Sequence, residues 1–296
     1  MVVKMRTSIY HLGKIYIELH IPEEMQIPEN LEKFAVDSLP EDKTLQRTYF
    51  IEYTDEIVQV ERALKEQKIP GKEAFRENLQ VFQTEQGECR SINLHGVPQA
   101  YAVSLLKLDG TSQVWVDRNY DSWMQYDTVF VAMLALEKEM IQVNAMLLHS
   151  AYMCYDGTAV LFSAASGTGK STQADLWEKY RGTRTINGDR SLLIRETDGW
   201  KAYGWPICGS SEICHNEKYP IRAIVMLKQA KENKVYPLQG FRAVRDIMEQ
   251  ITINAWDSEF QIRVMDLLEE LRKEVPIYCL ECDISEDAVR CLEQVL

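Results

Sequence analysis

A chain of 296 residues, 46% hydrophobic and 26% charged, can bury one large core or two modest ones, and this composition excludes a disordered or fibrous protein. Its formal net charge of −12, without a basic run, argues against a nucleic-acid partner, whose binding rests on Lys and Arg neutralising phosphates. Residues 1–8 are followed by no apolar core of signal-peptide length, no apolar stretch nears the ~20 residues of a bilayer span, and the seven cysteines, an odd number, read as reduced thiols; a cytoplasmic protein with no membrane partner is expected.

Along the chain, the signals from Thr7 to Asp117 are mostly strands. Apolar residues alternate at Ile15, Ile17, Leu19 and Ile21 and again at Val114 and Val116, the period of a sheet with one buried face. Asp109-Gly110, between apolar runs at 101–108 and 111–116, predicts a hairpin, because glycine tolerates the positive φ of such turns. The polar stretch 55–77 is expected as helix or loop, and no motif in this half attaches to chemistry. A single helix is expected over 128–143, capped by Asp127 and striped by Phe130, Met133, Leu134 and Ile141. It links a β-rich α+β subdomain of unknown role, residues 1–126, to a second domain, residues 127–296.

From Ala145 the texture becomes strand, Asp156-Gly157 turn, strand, glycine-rich loop and helix, with Gly182 as a helix stop and another hairpin turn at Asp198-Gly199. Tight turns where a doubly wound sheet needs crossover helices predict an α/β fold with a mixed sheet. Two helices, about 241–256 and 259–274, a strand at 277–283 and a last helix capped by Ser285 complete the pattern.

The strongest signal is Ala164-Ala165-Ser166-Gly167-Thr168-Gly169-Lys170-Ser171-Thr172, entered from the apolar strand 159–162 and left through a helix. It matches the phosphate-binding loop G-x-x-x-x-G-K-[ST] except that Ala164 stands at the first glycine. Gly167 and Gly169 let successive amides curl around an anion, and the helix N-terminus adds partial positive charge. Ala165, Ser166, Gly167, Thr168, Gly169, Lys170, Ser171 and Thr172 are the residues expected to bind ATP. In this arrangement Lys170 reaches the β- and γ-phosphates and the Ser171 hydroxyl joins the Mg²⁺ shell.

This loop resembles that of the ATP-dependent phosphoenolpyruvate carboxykinases, and its surroundings resemble the C-terminal domain of HPr kinase/phosphorylase. His149 in Leu147-Leu148-His149-Ser150-Ala151 is similar to that family's histidine strand, Asp189 in Ile186-Asn187-Gly188-Asp189 to its acidic motif, and Glu212 in Ser210-Ser211-Glu212-Ile213-Cys214 to its glutamate signature. The resemblance covers about 147–229. Arg190 stands where the family has a second acid, and the glutamate signature matches loosely.

The resemblance implies a carboxykinase-like P-loop catalytic domain that transfers the γ-phosphoryl group of ATP to a hydroxyl, with serine of a protein, peptide or small molecule favoured as acceptor. His149, Lys170, Asp189 and Glu212 are the implied catalytic residues, Ser171 and Asp189 the implied Mg²⁺ ligands, and a homo-oligomer the expectation by analogy. Either His149 or Asp189 can take the acceptor proton. Two alternatives stay open: carboxykinase-like phosphotransfer, and ATP binding by a regulator without transfer. Cys279-x-x-Cys282 has metal-like spacing, but positions three apart on a strand face opposite ways. Cys208, Cys214 and His215 lack a visible fourth ligand for zinc.

Overall fold

The computed structural model describes residues 3–76 and 78–296; Met1, Val2 and Glu77, at the ends of two stretches interpreted above, lie outside the described residues. Two compact units follow one another, one up to Glu139 and one from Met140. No helix among the described residues is long and apolar enough to cross a membrane.

The first unit is built on a nine-stranded mixed sheet. In chain order its elements are β1 (Met5–Leu12), β2 (Ile15–Pro22), α1 (Glu29–Glu32), β3 (Ala35–Val36), β4 (Leu45–Thr54), α2 (Ile57–Lys65), β5 (Lys68–Arg76), β6 (Leu79–Thr84), β7 (Gly87–Asn93), β8 (Ala100–Lys107) and β9 (Thr111–Asp117). The strands lie in the order β3-β1-β2-β4-β9-β8-β7-β6-β5. Ile15, Ile17, Leu19 and Ile21 are all buried, as their alternation requires. The Asp109-Gly110 hairpin joins antiparallel β8 and β9, with Gly110 at φ 86° and the Asp109 carboxylate accepting from the Thr111 amide. The polar stretch 55–77 contains α2, but it also contains β5. This outermost strand is mostly exposed on both faces, so it carries no period-two pattern to read.

The helix expected over 128–143 is two helices, α3 (Asp127–Ala132) and α4 (Leu136–Gln142), broken at Ala135, whose φ is 52°. Asp127 lies in the first turn of α3 and does not cap it; its carboxylate accepts from Asn30 Nδ2 at 3.1 Å. The division between the units falls inside α4, later than the boundary read between 126 and 127.

The second unit continues with β10 (Ala145–Tyr155), β11 (Thr158–Ser163), α5 (Lys170–Arg181), β12 (Arg184–Asn187), β13 (Arg190–Glu196), β14 (Gly199–Tyr203), a 3-10 turn at Gly209–Ser211, β15 (Lys218–Gln229), β16 (Lys234–Pro237), α6 (Gly240–Met248), α7 (Ser258–Glu274), β17 (Ile277–Cys282) and α8 (Glu286–Glu293). Its sheet is mixed: β15 runs parallel to β11 and β17, and the other pairs are antiparallel. Successive strand residues feed two cores. Tyr152, Leu161 and Ile224 pack with α6 and α7, while Met153, Phe162 and Val225 pack with α5 and α8. Cys279 belongs to the first core and Cys282 to the second, so the two thiols do point to opposite faces.

Two local expectations are corrected. α6 stops at Met248, because the following backbone turns to pair with β10, where the His149 amide donates to Gln250 O and the Thr252 amide to Leu147 O, both at 2.9 Å. Ser285 occupies the N-cap position of α8, but its hydroxyl hydrogen-bonds Asp283 and not the helix. β12 and β13 lie along the same edge of β10, interrupted at Gly188-Asp189.

Candidate active site

β11 delivers the chain from the middle of the sheet into the loop, and α5 carries it away. Gly167 and Gly169 have φ of 76° and 114°, values that side chains with a Cβ avoid. A Cβ built on Gly167 would meet nothing within 4 Å, so backbone conformation, and not crowding, demands the glycine. Ala164 is buried in the apolar core beneath α5 and has no positive φ, which is why a methyl group is tolerated at the loop's first position.

Ala165, Ser166 and Gly167 are exposed. The Thr168 amide turns back to Ala165 O at 3.3 Å, and Gln229 Nε2 donates to Thr168 O at 3.2 Å, pinning the loop to the end of β15. Lys170 is 8% exposed and its Nζ donates to Ala164 O at 3.3 Å, lying across the loop. Ser171 is exposed in the first turn of α5, and among the described residues its hydroxyl has no hydrogen bond.

Asp189 sits on the interruption between β12 and β13, and several side chains fix it there. The fully buried Asn187 accepts from the amides of Asp189 (2.9 Å) and Arg190 (2.8 Å) through Oδ1, while its Nδ2 donates to Trp205 O at 2.6 Å. The Ser150 amide donates to Asp189 O, tying the interruption to β10. The 3-10 turn closes over it: a Cβ on Gly188 would lie 1.7 Å from Ser211 Oγ, and one on Gly209 would lie 3.1 Å from the Asp189 carboxyl carbon.

The result is a chain of polar contacts. Asp189 Oδ1 is 3.3 Å from His149 Nε2, and Oδ2 is 3.5 Å from Arg190 Nε. The other His149 ring nitrogen is 3.3 Å from Gln250 Oε1, and Arg190 Nη1 donates to Thr252 Oγ1 at 2.7 Å. Burial pushes the Asp189 carboxyl up, but the His149 hydrogen bond and the charges of Arg190, His149 and Lys170 outweigh it, leaving the group below the ordinary carboxylate range. Burial pushes the Lys170 ammonium down, and Asp189 only partly offsets this. Each group feels the charge of the other, although one stands on α5 and the other on the β12–β13 interruption.

The structure therefore brings together His149, Lys170 and Asp189 but treats Glu212 differently. Glu212 ends the 3-10 turn at φ 56°, exposed, and its carboxylate has no hydrogen bond or ion pair among the described residues; Gly209 is the part of that segment which packs on Asp189. Asn187, Gly188, Gly209 and Gln250 shape the site and were not read as site residues from the sequence. Among the described residues no three His, Cys, Asp or Glu side chains gather to hold a metal ion. A magnesium ion would fit only as a phosphate-borne ion, with the Ser171 hydroxyl and the Asp189 carboxylate as the chain's own candidate ligands.

A family model described as SynChlorMet cassette protein ScmC matches residues 116–296. The chain belongs to the ScmC family. The ScmC match takes in the whole second unit, and with it the phosphate loop, His149 and the Asp189 interruption. No curated protein matches this chain. Among solved structures, this ScmC chain is similar to the HPr(Ser) kinase/phosphatase from Coxiella burnetii, at 14% identity and a TM-score of 0.29, over 50% of this chain and 97% of that one.

Proposed function

We propose that this ScmC-family chain binds ATP and transfers its γ-phosphoryl group to a hydroxyl, with serine of a protein, peptide or small molecule as the favoured acceptor. The observation that carries the reading is an exposed glycine loop, with Gly167 and Gly169 at positive φ and Lys170 lying across it, leading into a helix in the unit that also holds the His149–Asp189 pair. Phosphoryl transfer needs little beyond positioning and charge neutralisation, and these parts supply both.

In this reading the loop amides and Lys170 hold the phosphates. Asp189 accepts the proton of the acceptor hydroxyl as its oxygen bonds to the γ-phosphorus and the bond to the β-phosphate's bridging oxygen breaks, releasing ADP. His149 orients the carboxylate through Oδ1, and Gln250 orients His149. Bound magnesium would neutralise phosphate charge. A second reading, ATP binding without transfer, is favoured by one contact: with Arg190 Nε 3.5 Å from Oδ2 and His149 3.3 Å from Oδ1, both carboxylate oxygens already have protein partners.

Incubation with γ-labelled ATP and a panel of serine, serine peptides and small proteins separates the two. Lys170→Ala is expected to abolish measurable ATP binding. Asp189→Asn is expected to keep binding and lose label transfer by about 100-fold or more. Tight ATP binding by the wild type with no transfer to any acceptor would establish the second reading instead.

A further inference from the structure

A cavity of about 610 Å³ is lined by the first half of the glycine loop, residues 164–168, by the end of β15 and by the end of α6 with Glu249 and Gln250. That volume lies within the range of small-molecule sites. Gln250 also binds His149 twice, through its carbonyl to the His149 amide and through Oε1 to the ring. The cavity is therefore connected, through one residue, to the His149–Asp189 pair.

The charges on its walls are unequal in their commitments. Asp246 is engaged by Arg245, which donates to it through Nε at 2.9 Å and Nη2 at 2.6 Å, and it lies 3.7 Å from Arg242. Glu249 is exposed and makes no hydrogen bond or ion pair among the described residues; Arg245, already committed to Asp246, only feels its charge. Glu249 is thus a carboxylate without an ion pair among the described residues, on the lining of the cavity and open to a cationic group of a bound molecule.

We infer that this cavity receives the phosphoryl acceptor and that the acceptor is a hydroxyl-bearing amine, such as an amino alcohol or a hydroxy amino acid, whose ammonium group pairs with Glu249. Lys228, exposed at the end of β15 and lining the same cavity, suits the carboxylate of a hydroxy amino acid. The inference rests on the nucleotide-binding reading above and adds the chemical class of its second substrate.

The test is calorimetric titration of the full chain, saturated with magnesium and a non-hydrolysable ATP analogue, with ethanolamine, L-serine, glycerate and glycerol. Ethanolamine and serine are expected to bind, and glycerate and glycerol to bind about two- to fivefold more weakly, the worth of one partly exposed ion pair. Glu249→Gln should weaken the amines by about the same factor, and Glu249→Asp should restore part of it, with analogue affinity in both variants no lower than in the wild type. Equal binding of glycerol and ethanolamine, no binding of either amine, or amine affinity unchanged in Glu249→Gln would overturn the inference. Failure of the nucleotide reading would show separately, as no binding of the analogue to the wild type, and titration of the amines against the chain alone would then decide the matter.

Discussion

Asp189 owes its position to Asn187, Gly188 and Ser211. Asn187 holds two consecutive amides with one oxygen, and Gly188 leaves room for Ser211, whose hydroxyl donates to Cys208 O at 2.8 Å. Gly188→Ala would thrust a methyl group to 1.7 Å from that hydroxyl, so a loss of about 1–3 kcal/mol in a urea melt is expected, partly recovered by adding Ser211→Gly. Glu196 offers a pH-dependent counterpart at the far end of β13. Burial pushes its carboxyl up, but hydrogen bonds from Lys201, Tyr203 and Lys218 prevail and bring it down to about 2 from an ordinary value of 4.5. A depressed folded-state value means that the carboxylate stabilises the fold fully above about pH 4.5 and that this contribution fades as pH falls toward about 2. Glu196→Gln should therefore melt below the wild type at pH 7 and match it near pH 2; a constant gap across thermal melts at both pH values would contradict this assignment.

The elements that local chemistry specifies strongly are the ones legible in the sequence: the hairpins at Gly110, Gly157 and Gly199, the stop at Gly182 and the strand–loop–helix around Lys170. Each depends on neighbours a few positions away. The break between α3 and α4 was not legible, because Ala135 is a strong helix former that here is buried at φ 52°. Its backbone gives way so that Leu134 and Leu136 can both be buried. Holding alanine in the left-handed region costs about 1–2 kcal/mol. Ala135→Gly is thus expected to stabilise the protein by about 0.5–1 kcal/mol in urea denaturation, the opposite of its effect within a continuous helix. The early end of α6 was hidden for a related reason: residues 249–252 look helical until their hydrogen bonds to β10 are counted.

Across the whole chain, a net charge of −12 conceals a balanced set of charges inside the first unit. Arg90, 4% exposed, bridges Glu88 at 2.8 Å and Glu137 at 2.7 Å; Lys138 holds the other Glu88 oxygen at 2.7 Å; Arg47 holds Glu139 at 2.7 Å. Three consecutive residues of α4 are thereby locked to β4 and β7. Burial disfavours the Arg90 charge, but Glu137 and Glu88 raise its pKa overall. Arg90→Leu takes the shared guanidinium away from Glu137 and from Glu88, which keeps Lys138, and is expected to cost about 3–5 kcal/mol by chemical denaturation, whereas Arg90→Leu with Glu88→Leu and Glu137→Leu should recover much of it.

Sequence was sufficient for the glycine loop around Lys170 and the strand periodicity, because φ preferences, turn chemistry and burial alternation act over a few residues, whereas His149 and Asp189 were singled out by resemblance to a known family. Which groups meet Asp189, and that Glu212 is not among them, followed from the pairing of β10 with β12, β13 and the segment after α6. That pairing brings Gln250 to His149 across 101 positions of chain. Contacts of such separation are set by how strands register and cores fill, and no local pattern encodes them.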